Sequence, residues 1–221
     1  TERAPAGGLR RLTRRSGLAG FWTWWSAELA TFVPRSARAA VKRRRLRPVL
    51  AFEPDHATLW RPVAGERGTE MQAAATLPLG GDAAAGRAAL DAVPRVAYGG
   101  ATAPARVVVA LPPRSVLRRS LVLPAAVEEN LLDALAFDLD RHTPFKADEL
   151  YFDAAVTGRD AARGEIRVEL AAARRAIVDR AVAQAESWGA TVVGVTPDAA
   201  SSTEPSRLNL LPAERRPTPG A

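Results

Sequence analysis

The hydrophobic pattern of the chain is strongest between residues 106 and 195. Five short stretches there predict strands, because β-branched and aliphatic residues either run together or alternate with charged ones. These stretches are residues 106–111, 115–123, 149–157, 165–170 and 191–195. Residues 158–164 contain two glycines and predict the turn between the third and fourth strands.

Two helices are predicted between these strands. The first begins after Pro124 and carries a hydrophobic residue at every fourth position, which places them on one face. These residues are Val127, Leu131, Leu135 and Leu139. The second covers residues 177–188 and ends before Gly189, a residue type favoured just after a helix. The resulting order is β-βαβ-βαβ, and from Ser115 onward it reads as a split βαβ, ferredoxin-like unit.

The stretch before this unit predicts a small β-rich subdomain. Residues 48–63 form a hairpin pattern, with strands at 49–52 and 57–60 around a turn that contains a proline. Residues 71–79 predict a third strand, and residues 83–92 a short helix. The glycine pairs at 80–81 and 99–100 read as turns, because no phosphate-loop motif surrounds them.

The N-terminal arm has an amphipathic pattern of its own. Residues 1–16 are basic and glycine-containing, and we predict that they are disordered. Residues 17–33 predict a helix in which Leu18, Phe21, Trp25, Leu29 and Phe32 share one face, with Trp22 and Trp24 outside that stripe. One interpretation is that the rings pack on the body of the domain. The other is that Phe21, Trp22, Trp24, Trp25, Leu29 and Phe32 dock on a membrane surface or a partner.

Charge separates this arm from the rest of the chain. The net charge is +7 over 221 residues, yet residues 1–47 hold twelve Lys or Arg against two Glu, a balance of +10. The remainder holds nineteen against twenty-two, a balance of −3. The basic character therefore belongs to the arm, where it favours phosphate-bearing surfaces. No apolar run reaches the roughly 20 residues that span a bilayer.

The residues that commonly carry catalysis are sparse. The chain has no cysteine, so disulfides, thiolate chemistry and Cys-ligated metals are excluded. Its two histidines, His56 and His142, stand in a predicted turn and at a predicted helix end, and no HExxH motif exists. Neither a GxSxG nor a GxxxxGK motif occurs. The sequence predicts no catalytic, cofactor or metal site, and hence no enzyme.

Two binding interpretations rest on charge and fold. Acidic residues are dense between residues 133 and 153, which indicates a solvated face or, as an alternative, a docking surface for a basic partner. A ferredoxin-like sheet could bind RNA by stacking bases on strand aromatics. The strand at 165–170 has no aromatic residue, so we expect no nucleic-acid partner.

Three stretches resemble a known family. The run LPAAVEENLLDALAFDLDRHTPFKADELYF, from Leu123 to Phe152, resembles the cytoplasmic part of bacterial inner-membrane assembly proteins. These are the GspL proteins of type II secretion and the PilM–PilN pair of type IV pili. The motif LNLLP at 208–212 resembles the short peptide by which PilN-type proteins bind PilM-type proteins. The tryptophan-rich opening at 21–34 is similar to the same group.

The resemblance implies an α/β (α+β) fold of degenerate actin-like, RNase H-like type, containing the ferredoxin-like ββαββαβ unit. It implies a non-catalytic scaffold that links a GspE-like secretion ATPase to the membrane assembly, with GspM- and GspF-like platform partners and a homodimer as a further expectation. The alternatives are a type IV pilus alignment protein and an actin-like ATP-binding protein. Four residues carry over as partner-binding: Asn209, Leu210, Leu211 and Pro212.

These inferences divide the chain into five parts. They are a disordered basic tail at 1–16, an amphipathic arm at 17–47, a β-rich subdomain at 48–104, the ββαββαβ subdomain at 105–198, and a linker with the LNLLP motif at 199–221. The resemblance also implies a soluble domain of a single-pass protein on the cytoplasmic face of the bacterial inner membrane.

Overall fold

The strands and helices form where the hydrophobic periodicity predicts them. The computed structural model describes residues 46–66, 68–93, 104–204 and 206–217, except for the side chains of residues 140–142. The strands are β1 Val49–Phe52, β2 His56–Gly65, β3 Gly68–Pro78, β4 Arg106–Ala110, β5 Val116–Pro124, β6 Leu150–Asp160, β7 Glu165–Arg174 and β8 Thr191–Thr196. The helices are α1 Ala83–Asp91, α2 Leu131–His142 and α3 Arg175–Ser187. The described part is therefore a mixed α/β fold, as predicted.

Five of the strands form one mixed sheet in the order β3-β2-β1-β4-β8. The first three strands pair antiparallel, whereas β4 lies parallel to both β1 and β8. Parallel neighbours need a crossover connection. The chain between β1 and β4 includes α1, and the chain between β4 and β8 includes the whole of the second sheet. The five-stranded sheet thus takes strands from both sides of the predicted boundary at residue 104.

The second sheet is antiparallel, in the order β5-β7-β6. Alternation along β7 sends Ile166, Val168 and Leu170 to one face, where all three are buried. Helix α2 covers this face with Leu131, Leu135 and Leu139, three of the four residues of the predicted apolar stripe. The fourth, Val127, precedes α2 and packs partly buried against the same core. The sheet and the helix together enclose one hydrophobic core.

A larger core lies on the five-stranded sheet under α1 and α3. Trp188, directly after α3, is fully buried in it and stacks on Phe52 of β1 with ring centroids 6.1 Å apart. The alternation of β7 joins the two cores, because Ala171 and Ala173 point into the larger core while their neighbours face α2. Strand β7 is therefore a wall shared by both cores.

An arginine also ties the two sheets together at the surface. Arg118 of β5 donates from Nε to Glu169 of β7 (3.1 Å) and from Nη1 to Asp198, in the loop after β8 (2.9 Å). The hydrogen bond to Glu169 outweighs the partial burial and, with the Asp198 contact, raises the pKa of Arg118. The guanidinium therefore stays charged and holds the loop after β8 against the second sheet.

The topology corrects the ferredoxin-like prediction. The elements follow in the predicted order, and β5, β7 and β6 lie as the first three strands of such a unit would. Strand β8 does not join them, because it pairs parallel with β4 in the other sheet. There its side chains Val192 and Val195 are buried in the larger core. The unit is thus split between two sheets.

Several predicted boundaries also move. Strand β2 continues to Gly65 and β7 to Arg174, beyond the predicted ends at residues 60 and 170. The helix predicted to begin after Pro124 starts with a 3₁₀ segment at Ala125–Asn130, and α2 begins only at Leu131. Asn130 has φ −122° and ψ 37°, outside the α region, so it separates the two segments. The turn predicted at 158–164 is shorter than expected, because β6 continues to Asp160.

Gly86 in α1 provides a test of the larger core. A Cβ atom there would lie 2.3 Å from Cδ1 and Cγ of the buried Trp188 ring. Alanine normally favours a helix over glycine, but this ring cannot give way. We expect Gly86→Ala to lower the free energy of unfolding by about 1–3 kcal/mol, as overpacking does. Urea denaturation measures this free energy of unfolding, and a Gly86→Ala variant more stable than the unsubstituted chain would contradict the packing of Gly86 against Trp188. Ala85→Gly, exposed in the same helix, is the control for helix propensity.

Candidate docking site of the C-terminal segment

The C-terminal segment, defined here as residues 206–217, lies against the body of its own chain. Leu208, Leu210 and Leu211 are buried and belong to the larger core with α3 and the five-stranded sheet. Burying leucine side chains stabilises by roughly 1.5–3 kcal/mol each before ordering costs. The LNLLP motif is therefore an integral part of the hydrophobic core in this structure.

Asn209 pairs this segment with the free edge of β8. Its Oδ1 accepts hydrogen bonds from the backbone N–H of Val195 (2.8 Å) and of Leu211 (3.1 Å). The backbone N–H of Leu210 donates to the carbonyl of Val195 (2.8 Å). The asparagine amide thus supplies the acceptor that a further strand would offer, which satisfies an otherwise unpaired sheet edge.

The close approach of Asn209 to β8 depends on Gly194. A Cβ atom at Gly194 would stand 3.3 Å from both Nδ2 and Oδ1 of Asn209. Gly194 also lies where the register between β4 and β8 shifts, since Val108 pairs with Gly194 while Val107 pairs with Val192. The irregularity and the absent side chain together make room for the asparagine.

Asp153 of β6 holds the segment from the second sheet. Its Oδ2 accepts a hydrogen bond from the backbone N–H of Asn209 at 2.7 Å, and its Oδ1 accepts one from Ala154 at 2.9 Å. A carboxylate with donors on both oxygens is fixed in orientation. Because Asn209 also bonds to β8, this single residue bridges the two sheets.

Two arginines fix the end of the segment. Arg216 donates from Nε to the carbonyl of Leu211 (2.8 Å) and from Nη2 to that of Asn209 (3.0 Å). Arg215 donates to Asp179 of α3 (2.6 Å). Burial disfavours the charge of Arg215, but the hydrogen bonds with Asp179 and Tyr151 outweigh it and raise its pKa. The segment is therefore held at both its motif and its charged tail.

The chemistry of this site is that of docking. Its groups are leucines, a neutral amide, backbone N–H and C=O groups, and carboxylates and guanidinium groups that are bonded to the backbone or, for Arg215 and Asp179, to each other. Among the described residues, no group of three or more His, Asp or Glu side chains is placed to hold a metal ion. Such a set of groups can recognise a peptide by β-edge pairing and leucine burial.

The predicted partner-binding residues are brought together by this site. Asn209, Leu210 and Leu211 make the contacts described above, and Pro212 accepts the N–H of Arg215 at 3.0 Å. Their role in binding a separate partner stays a prediction. Sequence reasoning placed Asp153 in an acidic face and did not connect it with this segment. It missed Gly194 and Arg216, for which the only local signal was a glycine near a strand end.

The second predicted site falls in the N-terminal arm. Its members are Phe21, Trp22, Trp24, Trp25, Leu29 and Phe32. All six lie outside the described residues, so their docking on core, partner or membrane stays a prediction. In the part of the chain that is described, no helix has the length and apolar character needed to cross a bilayer.

Comparison with known proteins places the chain in a class of bacterial assembly proteins. The family model of the type IV pilus assembly protein PilM matches residues 79–216, which is more than half of the chain. The chain belongs to this family. A type II secretion system protein L from Xanthomonas campestris pv. campestris is 31% identical over 206 residues, 90% of this chain and 50% of that protein. The chain thus spans about half the length of this curated relative.

Two solved structures are also similar. A PilM–PilN type IV pilus biogenesis complex matches with 16% identity and a TM-score of 0.44, over 67% of this chain and 46% of that one. The cytoplasmic domain of EpsL, an inner-membrane component of the type II secretion system of Vibrio cholerae, matches with 15% identity and a TM-score of 0.45. The match with EpsL covers 68% of this chain and 56% of the EpsL chain. The predicted resemblance to secretion and pilus assembly proteins is confirmed by the family and the curated relative.

Proposed function

We propose that this chain is a non-catalytic scaffold domain of a bacterial type II secretion platform, linking the secretion ATPase to the membrane assembly. In this proposal it is the soluble domain of a single-pass protein, on the cytoplasmic face of the inner membrane. Its fold is a reduced form of the actin-like type. Its further partners are other inner-membrane platform proteins, a second copy of the chain and, through the N-terminal arm, the membrane surface.

The docked C-terminal segment is the observation that carries the proposal. It contacts both sheets through Asn209, whose backbone bonds to Asp153 of β6 and whose side chain bonds to Val195 of β8. A load on the chain beyond this segment would therefore be carried by both sheets at once. A domain that transmits position and force between neighbours needs such a connection.

Sequence similarity supports the secretion system over the pilus system. The protein L relative aligns with 90% of this chain, and it is a type II secretion system protein by name. The family model carries a pilus name and favours the second candidate, a type IV pilus inner-membrane alignment protein. Both candidates share the scaffold role and differ in the ATPase that they would hold.

Binding to the cognate ATPases tests the proposal and separates the two candidates. We expect the purified chain to bind the secretion ATPase of its own genome with a dissociation constant in the micromolar range or below, measured by biolayer interferometry. We expect no comparable binding to the ATPases of a type IV pilus system.

The control for this measurement is an unrelated basic protein domain of similar net charge, since the arm of +10 attracts acidic surfaces unspecifically. Binding to a pilus ATPase alone would transfer the proposal to the pilus candidate. Failure to bind any of these ATPases at micromolar concentrations, by a chain with a native circular dichroism spectrum, would contradict the scaffold role.

A further inference from the structure

A phenylalanine on α2 stands almost wholly in solvent. The side chain of Phe137 is 94% exposed, the largest exposure of any large hydrophobic side chain among the described residues. The reason is geometric, because residues two positions from Leu135 and Leu139 point away from the face that those leucines bury. An aromatic side chain offers about 150–250 Å² of surface, which water disfavours.

Two exposed residues lie beside this ring on the outer face of α2, defined here as Asp133, Ala134 and Phe137. Ala134 lies one turn before Phe137. Asp133 lies four residues before Phe137 and hence on the same side. This face therefore combines an aromatic centre with a small apolar neighbour and a carboxylate.

The charge around this face selects the kind of partner. Residues 125–149 carry seven acidic and two basic side chains, a balance of −5 within a chain of +7. An anionic lipid surface would be repelled, and a symmetric contact with a second copy would oppose like charges. A protein surface with an apolar pocket and lysine or arginine residues at its rim has the complementary chemistry.

We propose that the outer face of α2 is the docking surface for a protein partner whose apolar pocket receives Phe137 and whose basic rim faces Asp133. This inference rests on the proposed function, because the ATPase of the platform is the partner on which it is tested. Within such an interface Phe137 is the central anchor, and Ala134 lies at the edge of its contact.

Single substitutions test the surface in the complete 221-residue chain, with the cognate secretion ATPase as the probe. Phe137→Ser is expected to weaken the dissociation constant by about 30-fold or more, the effect of removing a buried aromatic anchor. Asp133→Lys is expected to weaken it as well, with an effect that shrinks as salt rises from about 0.05 M to about 0.5 M. Val122→Ser, at a side chain 60% exposed on β5, is the control and should bind unchanged.

The outcomes separate this inference from the proposed function. Phe137→Ser and Asp133→Lys with unchanged affinity would overturn the docking surface and leave the scaffold role standing. No binding by the unsubstituted chain would overturn both. Two further results in Phe137→Ser would overturn the inference if the affinity for the ATPase is retained. Loss of self-association, measured by sedimentation velocity, would assign the face to a second copy. Loss of co-sedimentation with vesicles would assign it to lipid. Thermal melts should coincide for all variants.

Discussion

Replacing Leu210 with alanine is expected to lower the free energy of unfolding by about 2–5 kcal/mol, the range for large-to-small changes in a core. The side chain is only 1% exposed and packs in the larger core beside α3. Its backbone N–H bonds to Val195, so the backbone is held in place and cannot shift far to fill the cavity. The loss should therefore lie in the upper half of the range.

Chemical denaturation of the complete chain measures this effect, with Leu132→Ala as the matched control. Leu132 is also a leucine, but it is 46% exposed, so its replacement should change stability by roughly 0.5 kcal/mol or less. Equal effects of the two substitutions would show that the C-terminal segment does not pack into the core in solution. The segment would then be free to bind elsewhere, as a separate peptide would.

The elements with strong periodicity were predictable because one face of each is buried. Helix α2 shows this well: Leu131, Leu135 and Leu139 recur every fourth residue, and all three contact the second sheet. Gly189 was predicted just past α3 and has φ +84°, a conformation that favours glycine. In both cases neighbouring residues in the sequence determine the conformation, so the sequence alone is enough to predict it.

The sheet to which each strand belongs was not predictable in the same way. Strand β8 has the sequence TVVGVT, which places valines on both of its faces and does not indicate a particular sheet. The ferredoxin-like prediction assigned it to the second sheet. The position of β8 is decided by its pairing with β4. The first residue pair is Arg106 and Thr191, which are 85 positions apart in the sequence. Hydrophobic alternation reports that a face is buried, not which neighbour buries it.

The LNLLP motif was predictable only in part. Its leucines and asparagine predict a peptide that docks by leucine burial and backbone pairing, and the structure shows that mode of contact within the chain. The groups that receive it come from distant positions, Asp153 on β6 and Gly194 on β8. No local pattern connects these residues to Asn209, so the receiving side of the site could not be derived from the sequence.

This arrangement separates two surfaces with different roles in our proposal. The segment unites the sheets around β8 and β6, while the outer face of α2 lies on the far side of the second core from β7. A partner bound to α2 would therefore be connected to the segment through β7 and β6, both packed strands. Rigid packing of this kind transmits displacement with little loss, which is the mechanical property that a scaffold needs.

Replacing Asn209 with leucine is expected to cost about 2–4 kcal/mol of unfolding free energy. The side chain keeps four heavy atoms, but the N–H groups of Val195 and Leu211 lose their acceptor, and a buried unsatisfied donor costs about 1–3 kcal/mol. Both residues are buried, so water cannot readily replace the amide oxygen. Asn209→Asp keeps an acceptor oxygen and should be less harmful, although its charge lies near Asp153.

Amide hydrogen exchange followed by NMR provides the site-specific readout for these variants. In the unsubstituted chain the N–H groups of Val195 and Leu211 should be strongly protected, because both are bonded and buried. In Asn209→Leu these two should exchange faster than the N–H groups of β4, while Asn209→Asp should keep most of the protection. A uniform loss across the chain would instead indicate global destabilisation, and unchanged protection at both positions would refute the pairing of the segment with β8.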